Sequence, residues 1–175
     1  IEVCTKAQKL LNSKQLRIYT NDDIIGVEIG GALKNITAIA VGISDGLQFG
    51  DNAKAAIITR GLAEIARLGE SLGAKKSTFS GLAGMGDLIA TCSSSLSRNN
   101  QVGRMLATGQ SIQDIHKTMK NVAEGVKTTE AAISISRATG ISMPKASSVY
   151  DVLFNGIEPT HAVSSLMERA PTSEN

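Results

Sequence analysis

One lysine in this sequence lies among residues with very small side chains. Lys34 falls in a segment whose apolar residues recur at helical spacing and form one stripe, namely Leu33, Ile36, Ala40, Ile43 and Leu47. Three and four positions away from the lysine along such a helix are Gly30, Gly31, Thr37 and Ala38. Two adjacent glycines in a helix cost about 2 kcal/mol relative to alanine, so the close approach of a backbone or a ligand is expected to offset them. A lysine above such a floor can transfer a proton, although a lysine exposed above a tight helix crossing has the same local pattern.

A second candidate is Asp87, which begins a predicted helix directly after a glycine-rich run, residues 81–86. A helix cap explains the aspartate alone. Alternatively, the glycines bring the backbone close to a ligand, and Asp87 binds a hydroxyl group or a lysine. The run is not a dinucleotide-binding fingerprint, because the third glycine of that motif is missing at its required position and no strand precedes it.

Two further predicted helices begin with charged residues. Ser97 and Arg98 would offer free N–H groups and a guanidinium group to an anion such as phosphate, although a serine cap followed by a surface arginine is commoner. Glu124 places a carboxylate at a helix start, which the helix dipole alone explains. A carboxylate at this place can also bind the hydroxyl groups of a ribose, and sequence spacing does not separate the two interpretations.

Other chemistries lack support in the sequence. His116 and His161 have no acidic or cysteine neighbours at metal-ligand spacing, and the nucleophile-elbow, H-E-x-x-H and phosphate-loop motifs are missing. The formal net charge of +2 argues against a nucleic-acid partner. Apolar stretches are interrupted well before about 18 residues, so no membrane span is expected. Cys4 and Cys92 form neither a disulfide nor a metal pattern, which favours a reduced, cytoplasmic setting.

The predicted secondary structure changes abruptly near residue 21. Residues 2–11 are predicted as a helix and residues 16–20 as a strand. Thereafter the pattern predicts only helices, at about residues 24–47, 51–72, 87–90, 98–107, 111 onward, 124–138, 144–155 and 159 onward. Because one strand cannot satisfy its own edges, the first residues are expected to be the end of a sheet domain, and the chain to be a piece of a longer protein.

Three motifs taken together carry a family resemblance. The sequence closely resembles the NAD(P)-dependent glycerol-3-phosphate dehydrogenase family at residues 26–35, residues 81–88 and Ser97-Arg98-Asn99. The serine-rich segment directly before Ser97 resembles the bacterial branch of that family. Their order matches and the resemblance covers essentially the whole chain. It implies an all-α, multi-helix C-terminal substrate domain, similar to the C-terminal-like fold of 6-phosphogluconate dehydrogenase, preceded by a residual helix and strand of a Rossmann domain. The implied parts are residues 1–22 (remnant of the dinucleotide-binding domain), 23–170 (helical substrate domain) and 171–175 (tail).

The resemblance also implies roles for individual residues. Lys34 corresponds to the family's catalytic acid/base and contacts the substrate. The other residues that correspond to substrate contacts are Asp87, Ser97, Arg98 and Asn99. Those that correspond to contacts with the nicotinamide cofactor are Arg98, Val122 and Glu124. Asn35 and Thr91 are expected near the site, and no metal ligand is expected.

The implied activity is reversible hydride transfer between NAD(P)H and dihydroxyacetone phosphate, which supplies glycerol 3-phosphate for phospholipid synthesis. The cofactor would be NAD or NADP, and Lys34 would supply a proton and positive charge at C2 of the substrate. Because the Rossmann glycine fingerprint is absent, the chain is expected to be inactive alone. The resemblance further implies a cytoplasmic enzyme with a small-molecule substrate, and a homodimer is the assembly considered.

Two alternatives from other classes remain at this point. One is another lysine-dependent dehydrogenase, of the 6-phosphogluconate or hydroxyacid type. The other is a noncatalytic helical dimerisation module. The triad Ser97-Arg98-Asn99 argues against a plain hydroxyacid substrate, and a module without a ligand has no need of two glycines beside Lys34 or of a separate arginine-bearing helix start.

Overall fold

A computed structural model of the protein describes residues 2–119 and 123–168. All regular structure in these two ranges is helical, as the fold class predicted from the sequence requires. The helices are α1 (Glu2–Leu11), α2 (Ile24–Gly46), α3 (Gly50–Ser71), α4 (Lys76–Phe79), α5 (Asp87–Ser93), α6 (Arg98–Ala107), α7 (Ile112–Thr118), α8 (Glu124–Thr139), α9 (Pro144–Phe154) and α10 (Pro159–Met167). A single π-helical turn, Leu82–Gly86, leads directly into α5.

Helix α2 is the centre of the fold. It packs against α3, α5, α6, α8 and α9, and its Ala38, Ile39 and Val41 are fully buried. Its closest neighbour is α6, because a methyl group at Gly42 of α2 or at Gly103 of α6 would collide with the backbone of the opposite helix. The two helices therefore cross with their backbones nearly in contact, which fixes the start of α6 relative to α2.

The start of α2 is anchored by one buried carboxylate. Asp23 caps the helix by accepting a hydrogen bond from the N–H of Gly26 at 2.9 Å. Its second oxygen accepts from the N–H of Lys75 at 2.8 Å and from the hydroxyl of Thr78 at 2.6 Å. One side chain thus joins α2 to the connection between α3 and α4.

A second buried carboxylate joins α3 to α9. Glu64 of α3 is almost completely buried and accepts from the N–H of Lys145 at 2.9 Å and from the N–H of Ala146 at 3.3 Å. It also lies 3.2 Å from the ammonium group of Lys145. These N–H groups belong to the first turn of α9, which has no partner for them within the helix, so Glu64 caps α9 from a distant part of the chain.

The strand predicted at residues 16–20 is wrong. Within the described part of the chain these residues form no strand, and no described element is available to pair with them. The pattern of β-branched and aromatic side chains is present, but a strand also needs backbone partners on a neighbouring strand. Helix α1 forms as predicted, yet none of its residues is buried. The predicted tail at residues 171–175 lies outside the described residues.

Helix α2 is long and apolar enough to cross a membrane when length and composition alone are considered. The sequence analysis expected polar and glycine residues to interrupt every apolar stretch, but those in α2 are too few to exclude a membrane span by length and composition. Half of the most apolar stretch is buried inside the protein, however, and the core helix of a globular fold has the same composition. Among the described helices, no other passes the test.

We predict that Asp23→Asn destabilises the chain in a pH-dependent way. In the folded protein the hydroxyl of Thr78, followed by the N–H of Gly26, holds the pKa of Asp23 below its ordinary value of 3.8. Because the folded pKa is the lower one, the stabilisation is fully present above the unfolded pKa and is lost as the pH falls through the folded value. The asparagine amide also cannot accept all three hydrogen bonds, because its nitrogen is a donor in place of the second acceptor oxygen.

Thermal unfolding of the 175-residue chain between pH 7 and pH 3 checks this prediction. The melting temperature of Asp23→Asn should be lower than that of the unchanged chain at pH 7, and the difference should shrink toward pH 3. Asp22→Asn is the matched control: Lys75 also lowers the pKa of Asp22, but this pair is exposed to solvent, so the change should have the same sign and be much smaller. A difference that is constant with pH would contradict the role of the carboxylate charge.

Candidate active site

Lys34 and Asp87 form the pair at the centre of the site. The ammonium group of Lys34, near the middle of α2, donates to both carboxylate oxygens of Asp87, at 2.5 and 2.6 Å. Asp87 is the first residue of α5, where a carboxylate is also favoured by the helix dipole. The lysine side chain is 22% exposed and the aspartate side chain 38% exposed. The pair therefore holds a positive charge at a fixed place that a small molecule can reach.

The two glycines beside the lysine have different structural reasons. A methyl group at Gly30 would lie 2.8 Å from the carbonyl oxygen of Ala83, so Gly30 allows the π-helical turn to approach α2. A methyl group at Gly31 would have no atom within 4 Å. The close backbone approach expected from the sequence is therefore confirmed at Gly30, while Gly31 faces open space.

Asp87 is held from its own helix by Thr91. The hydroxyl of Thr91 donates to the backbone carbonyl of Asp87 at 2.7 Å and lies 3.4 Å from its carboxylate oxygen Oδ1. The interaction spans one turn of α5, so the helix itself sets the distance. Thr91 thus lines the cleft one helical turn beyond Asp87.

The start of α6 faces the same space as Lys34. Ser97 caps this helix, because its hydroxyl accepts from the N–H of Asn100 at 3.3 Å. Arg98, the first residue of the helix, has a side chain that is 47% exposed. Its guanidinium group lies 4.0 Å from the carboxylate of Glu124, at the start of α8, whose side chain is 71% exposed. At this distance and exposure the ion pair contributes little, so both groups remain available to a ligand.

Asn99 differs from its neighbours because its side chain is directed into the protein. It is 7% exposed, donates from Nδ2 to Oδ1 of Asn35 at 2.9 Å, and accepts from the N–H of Gly125 at 2.9 Å. This amide joins α6, α2 and the first turn of α8. It fixes the distance between Lys34, Arg98 and Glu124, each of which lies next to one of the three bonded residues.

These groups surround one open cleft of about 500 Å³. It is bounded by α2, by α5, by the connection to α6 and by the starts of α6 and α8, and it includes Lys34, Asn35, Thr91, Ser97, Arg98, Asn99 and Glu124. Asp87 is joined to it through its bond to Lys34. Val122, the remaining residue proposed from the sequence, lies outside the described residues. The structure thus brings together the other candidates, although they come from four helices.

The sequence analysis missed three residues that line the cleft, Ala90, Ser94 and Leu96. Ala90 lies in α5, and the other two belong to the serine-rich segment that joins α5 to α6. Leu96 is 84% exposed, and an apolar residue inside a polar loop was the available signal.

Nucleophilic and metal chemistry have little support in this region. Cys92 of α5 is completely buried behind the cleft, and burial raises the pKa of its thiol to about 12, so it remains protonated. Within residues 2–119 and 123–168, no group of three or more His, Cys, Asp or Glu side chains is placed to hold a metal ion. What the cleft offers is an ammonium group, a guanidinium group, a helix start and two carboxylates. This combination can bind a phosphorylated, hydroxylated molecule and move a proton at one of its oxygen atoms.

We predict that Asn99→Ala lowers the free energy of unfolding by about 2–3 kcal/mol, because a buried N–H and a buried amide oxygen both lose their partner. Arg98→Ala, one residue away, should change it by less than about 0.5 kcal/mol, since the arginine is exposed and weakly paired. Urea unfolding of the 175-residue chain measures both. Equal stabilities of the two variants would show that the internal hydrogen bonds of Asn99 do not hold the three helices together.

Comparison with known proteins agrees with this geometry. The family model described as the NAD-dependent glycerol-3-phosphate dehydrogenase C-terminus matches residues 23–164. A glycerol-3-phosphate dehydrogenase [NAD(P)+] of Lysinibacillus sphaericus (strain C3-41) is 54% identical over 174 residues, which are 99% of this chain and 52% of that protein. The corresponding protein of Bacillus subtilis (strain 168) is 54% identical over 169 residues, or 97% of this chain and 49% of that protein.

The fold is shared with solved structures as well. The crystal structure of glycerol-3-phosphate dehydrogenase from Coxiella burnetii superposes with a TM-score of 0.91 at 40% sequence identity, covering 96% of this chain and 52% of that one. The chain therefore spans about half the length of the relatives it matches. It belongs to the NAD-dependent glycerol-3-phosphate dehydrogenase family and corresponds to its helical C-terminal part.

Proposed function

We propose that this chain is the substrate-binding half of a glycerol-3-phosphate dehydrogenase that interconverts dihydroxyacetone phosphate and glycerol 3-phosphate with NAD(H) or NADP(H). A dinucleotide-binding half would precede it, and we call the protein with both halves the full-length enzyme. Residues 1–22 would be the end of that first half, 23–170 the substrate domain and 171–175 a tail. The observation that carries the proposal is the cleft that Lys34, held by Asp87, and Arg98, at the start of α6, line together.

Lys34 has the position of the acid/base. When dihydroxyacetone phosphate is reduced, the C2 carbonyl oxygen gains negative charge as the hydride arrives, and the ammonium group both stabilises this charge and donates the proton. In the opposite direction the neutral amine takes the proton from the C2 hydroxyl group. Asp87 keeps the amine at one place during both steps, with Thr91 supporting Asp87 from the next turn.

Arg98 and the start of α6 are placed to bind the phosphate group. A guanidinium group forms two parallel hydrogen bonds to phosphate oxygens, and the N–H groups of a helix start point toward an anion. Binding energy gained at this remote group orients C2 toward Lys34. Asn99 contributes by fixing the helix start, since both ends of its own amide are bonded within the protein.

The nicotinamide cofactor would contact only a small part of this chain. When bound, it supplies the hydride. The exposed carboxylate of Glu124 suits the hydroxyl groups of a ribose, and Arg98 lies beside it. Val122 would belong to the same contact. Because these groups are so few, the chain alone is expected to bind the cofactor weakly and to be inactive.

The family membership supports this function over the two alternatives drawn from the sequence. The family model and the relatives are described as glycerol-3-phosphate dehydrogenases. They are described neither as another lysine-dependent dehydrogenase nor as a dimerisation module. We further propose that the enzyme is cytoplasmic, forms a homodimer and supplies glycerol 3-phosphate for phospholipid synthesis. These last points depend on the resemblance alone.

We predict that Lys34→Ala lowers the kcat of the full-length enzyme by at least ~100-fold, the usual scale for a positioned acid/base. The measurement is steady-state oxidation of NADH or NADPH with dihydroxyacetone phosphate. Lys117→Ala is the matched control, because that exposed lysine of α7 pairs only with Asp114 on its own helix. Near-normal turnover by Lys34→Ala would contradict the role of Lys34 as acid/base. If the enzyme without substitutions does not reduce dihydroxyacetone phosphate, the proposed function itself is wrong.

We further predict that Arg98→Ala weakens the use of dihydroxyacetone phosphate while unphosphorylated dihydroxyacetone, a poor substrate, is little affected. Each lost charge-assisted hydrogen bond should cost about 1.5–3 kcal/mol, or roughly 10- to 150-fold in kcat/KM. Arg98→Lys should recover part of the loss, since it restores the charge but not the bidentate geometry. Equal losses of kcat/KM for the two substrates would mean that Arg98 does not bind the phosphate.

A further inference from the structure

Gly31 is a helical residue that nothing in the described protein requires to be glycine. It lies in the middle of a regular helix, where glycine is less favourable than alanine. A methyl group at this position would meet no atom within 4 Å, whereas one at the preceding Gly30 would meet the backbone of the π-helical turn. Within the described protein, the feature at position 31 that glycine could serve is the cleft that it lines.

The side chains of the next turn define the space above Gly31. Helical side chains lean toward the N-terminus, so Lys34 and Asn35, three and four residues later, extend over the turn that contains Gly31. Asp87 fixes the end of Lys34 at 2.5 Å, and Asn99 fixes the amide of Asn35 at 2.9 Å. The other end of that amide, Nδ2, has only a long contact of 3.5 Å, to the carbonyl oxygen of Gly31. The Nδ2 amide of Asn35, at the edge of this space, therefore makes only a weak hydrogen bond among the described residues.

The positions along α2 place this space on one side of the lysine. Asn35 contacts the start of α6 through Asn99, so the arginine side of the cleft lies toward that end of α2. Gly31 lies about 6 Å in the other direction along the helix axis, since four residues rise by that amount. A three-carbon molecule with its phosphate at Arg98 and its central carbon at Lys34 would have its third carbon over Gly31.

We propose that Gly31 is a specificity-determining residue whose missing side chain makes room for the terminal hydroxymethyl group of the substrate. The proposal depends on the proposed function, because it uses the placement of the phosphate and of C2. The hydroxymethyl oxygen would accept a hydrogen bond from Nδ2 of Asn35. A methyl group on Gly31 would fill the space that this part of the substrate occupies, without disturbing any contact within the protein.

Two variants of the full-length enzyme test the proposal, Gly31→Ala and Gly31→Leu, because alanine and leucine are both good helix formers. The kcat/KM for dihydroxyacetone phosphate should fall about 10- to 200-fold in Gly31→Ala, as one added carbon in a fitted pocket does elsewhere, and further in Gly31→Leu. The Kd of NADH should not change. In the 175-residue chain the melting temperature of Gly31→Ala should rise by about 2–4 °C. Gly30→Ala, its matched control for stability, should lower it because of the contact with Ala83.

The truncated compound glycolaldehyde phosphate, which keeps the phosphate and the carbonyl group but lacks the hydroxymethyl group, separates the outcomes. Measured as a substrate or as a competitive inhibitor, it should be affected much less by Gly31→Ala than dihydroxyacetone phosphate is. Equal losses for both compounds, a weaker Kd for NADH, or a lowered melting temperature of Gly31→Ala would each overturn the proposal. If the unchanged enzyme reduces dihydroxyacetone phosphate and Gly31→Ala does so equally well, only this inference fails; if the unchanged enzyme does not, the proposed function fails and this inference with it.

Discussion

The burial of helix α2 is the constraint on which the rest of the structure depends. A helix whose central residues are inaccessible to water on all sides must be covered by several others, and α3, α5, α6, α8 and α9 supply that cover. The starts of α5, α6 and α8 meet α2 near Lys34 and Asn35, so polar helix starts gather around one part of it. The site is thus a gap in the cover. Lys34 is the charged residue that α2 places in this gap.

Buried polar groups give the arrangement its accuracy. Hydrophobic packing is tolerant of small shifts, whereas a buried carboxylate or amide requires its partners at hydrogen-bond distance. Asp23, Glu64 and Asn99 each bind backbone N–H groups from a distant part of the chain. Two of them lie far from the cleft and locate the helix ends, while Asn99 lies directly beneath it. The neutral contacts of Asn99 therefore hold the helix starts that carry Arg98 and Glu124, while the ion pair with Asp87 holds the end of Lys34.

Much of this structure could be predicted from the sequence because local chemistry specifies it. The helices predicted at about 98–107, from 111 onward and at 124–138 are confirmed, and Ser97, Ser111 and Gly140 cap them through their own turns. The pairing of Asp87 with a lysine was one of two options that the sequence left open. The strand at residues 16–20 could not be judged in this way, because pairing depends on residues that local pattern does not specify. The substrate contact of Asn99 stays a prediction from the resemblance, whereas its bonds to Asn35 and Gly125 could not be predicted, because local pattern does not give the direction of a side chain.

The π-helical turn before α5 sets the direction of Asp87. Its wider hydrogen bond, from the N–H of Gly86 to the carbonyl of Gly81 at 3.1 Å, accommodates one more residue than an α-helical turn. Since each residue turns an α-helix by about 100°, the extra residue changes the direction, about the helix axis, of every side chain that follows it in α5. Loss of a single residue from this turn would leave the composition of α5 intact and rotate its carboxylate away from the lysine. The length of this five-residue segment therefore matters as much to the Lys34–Asp87 pair as the identity of any side chain in it.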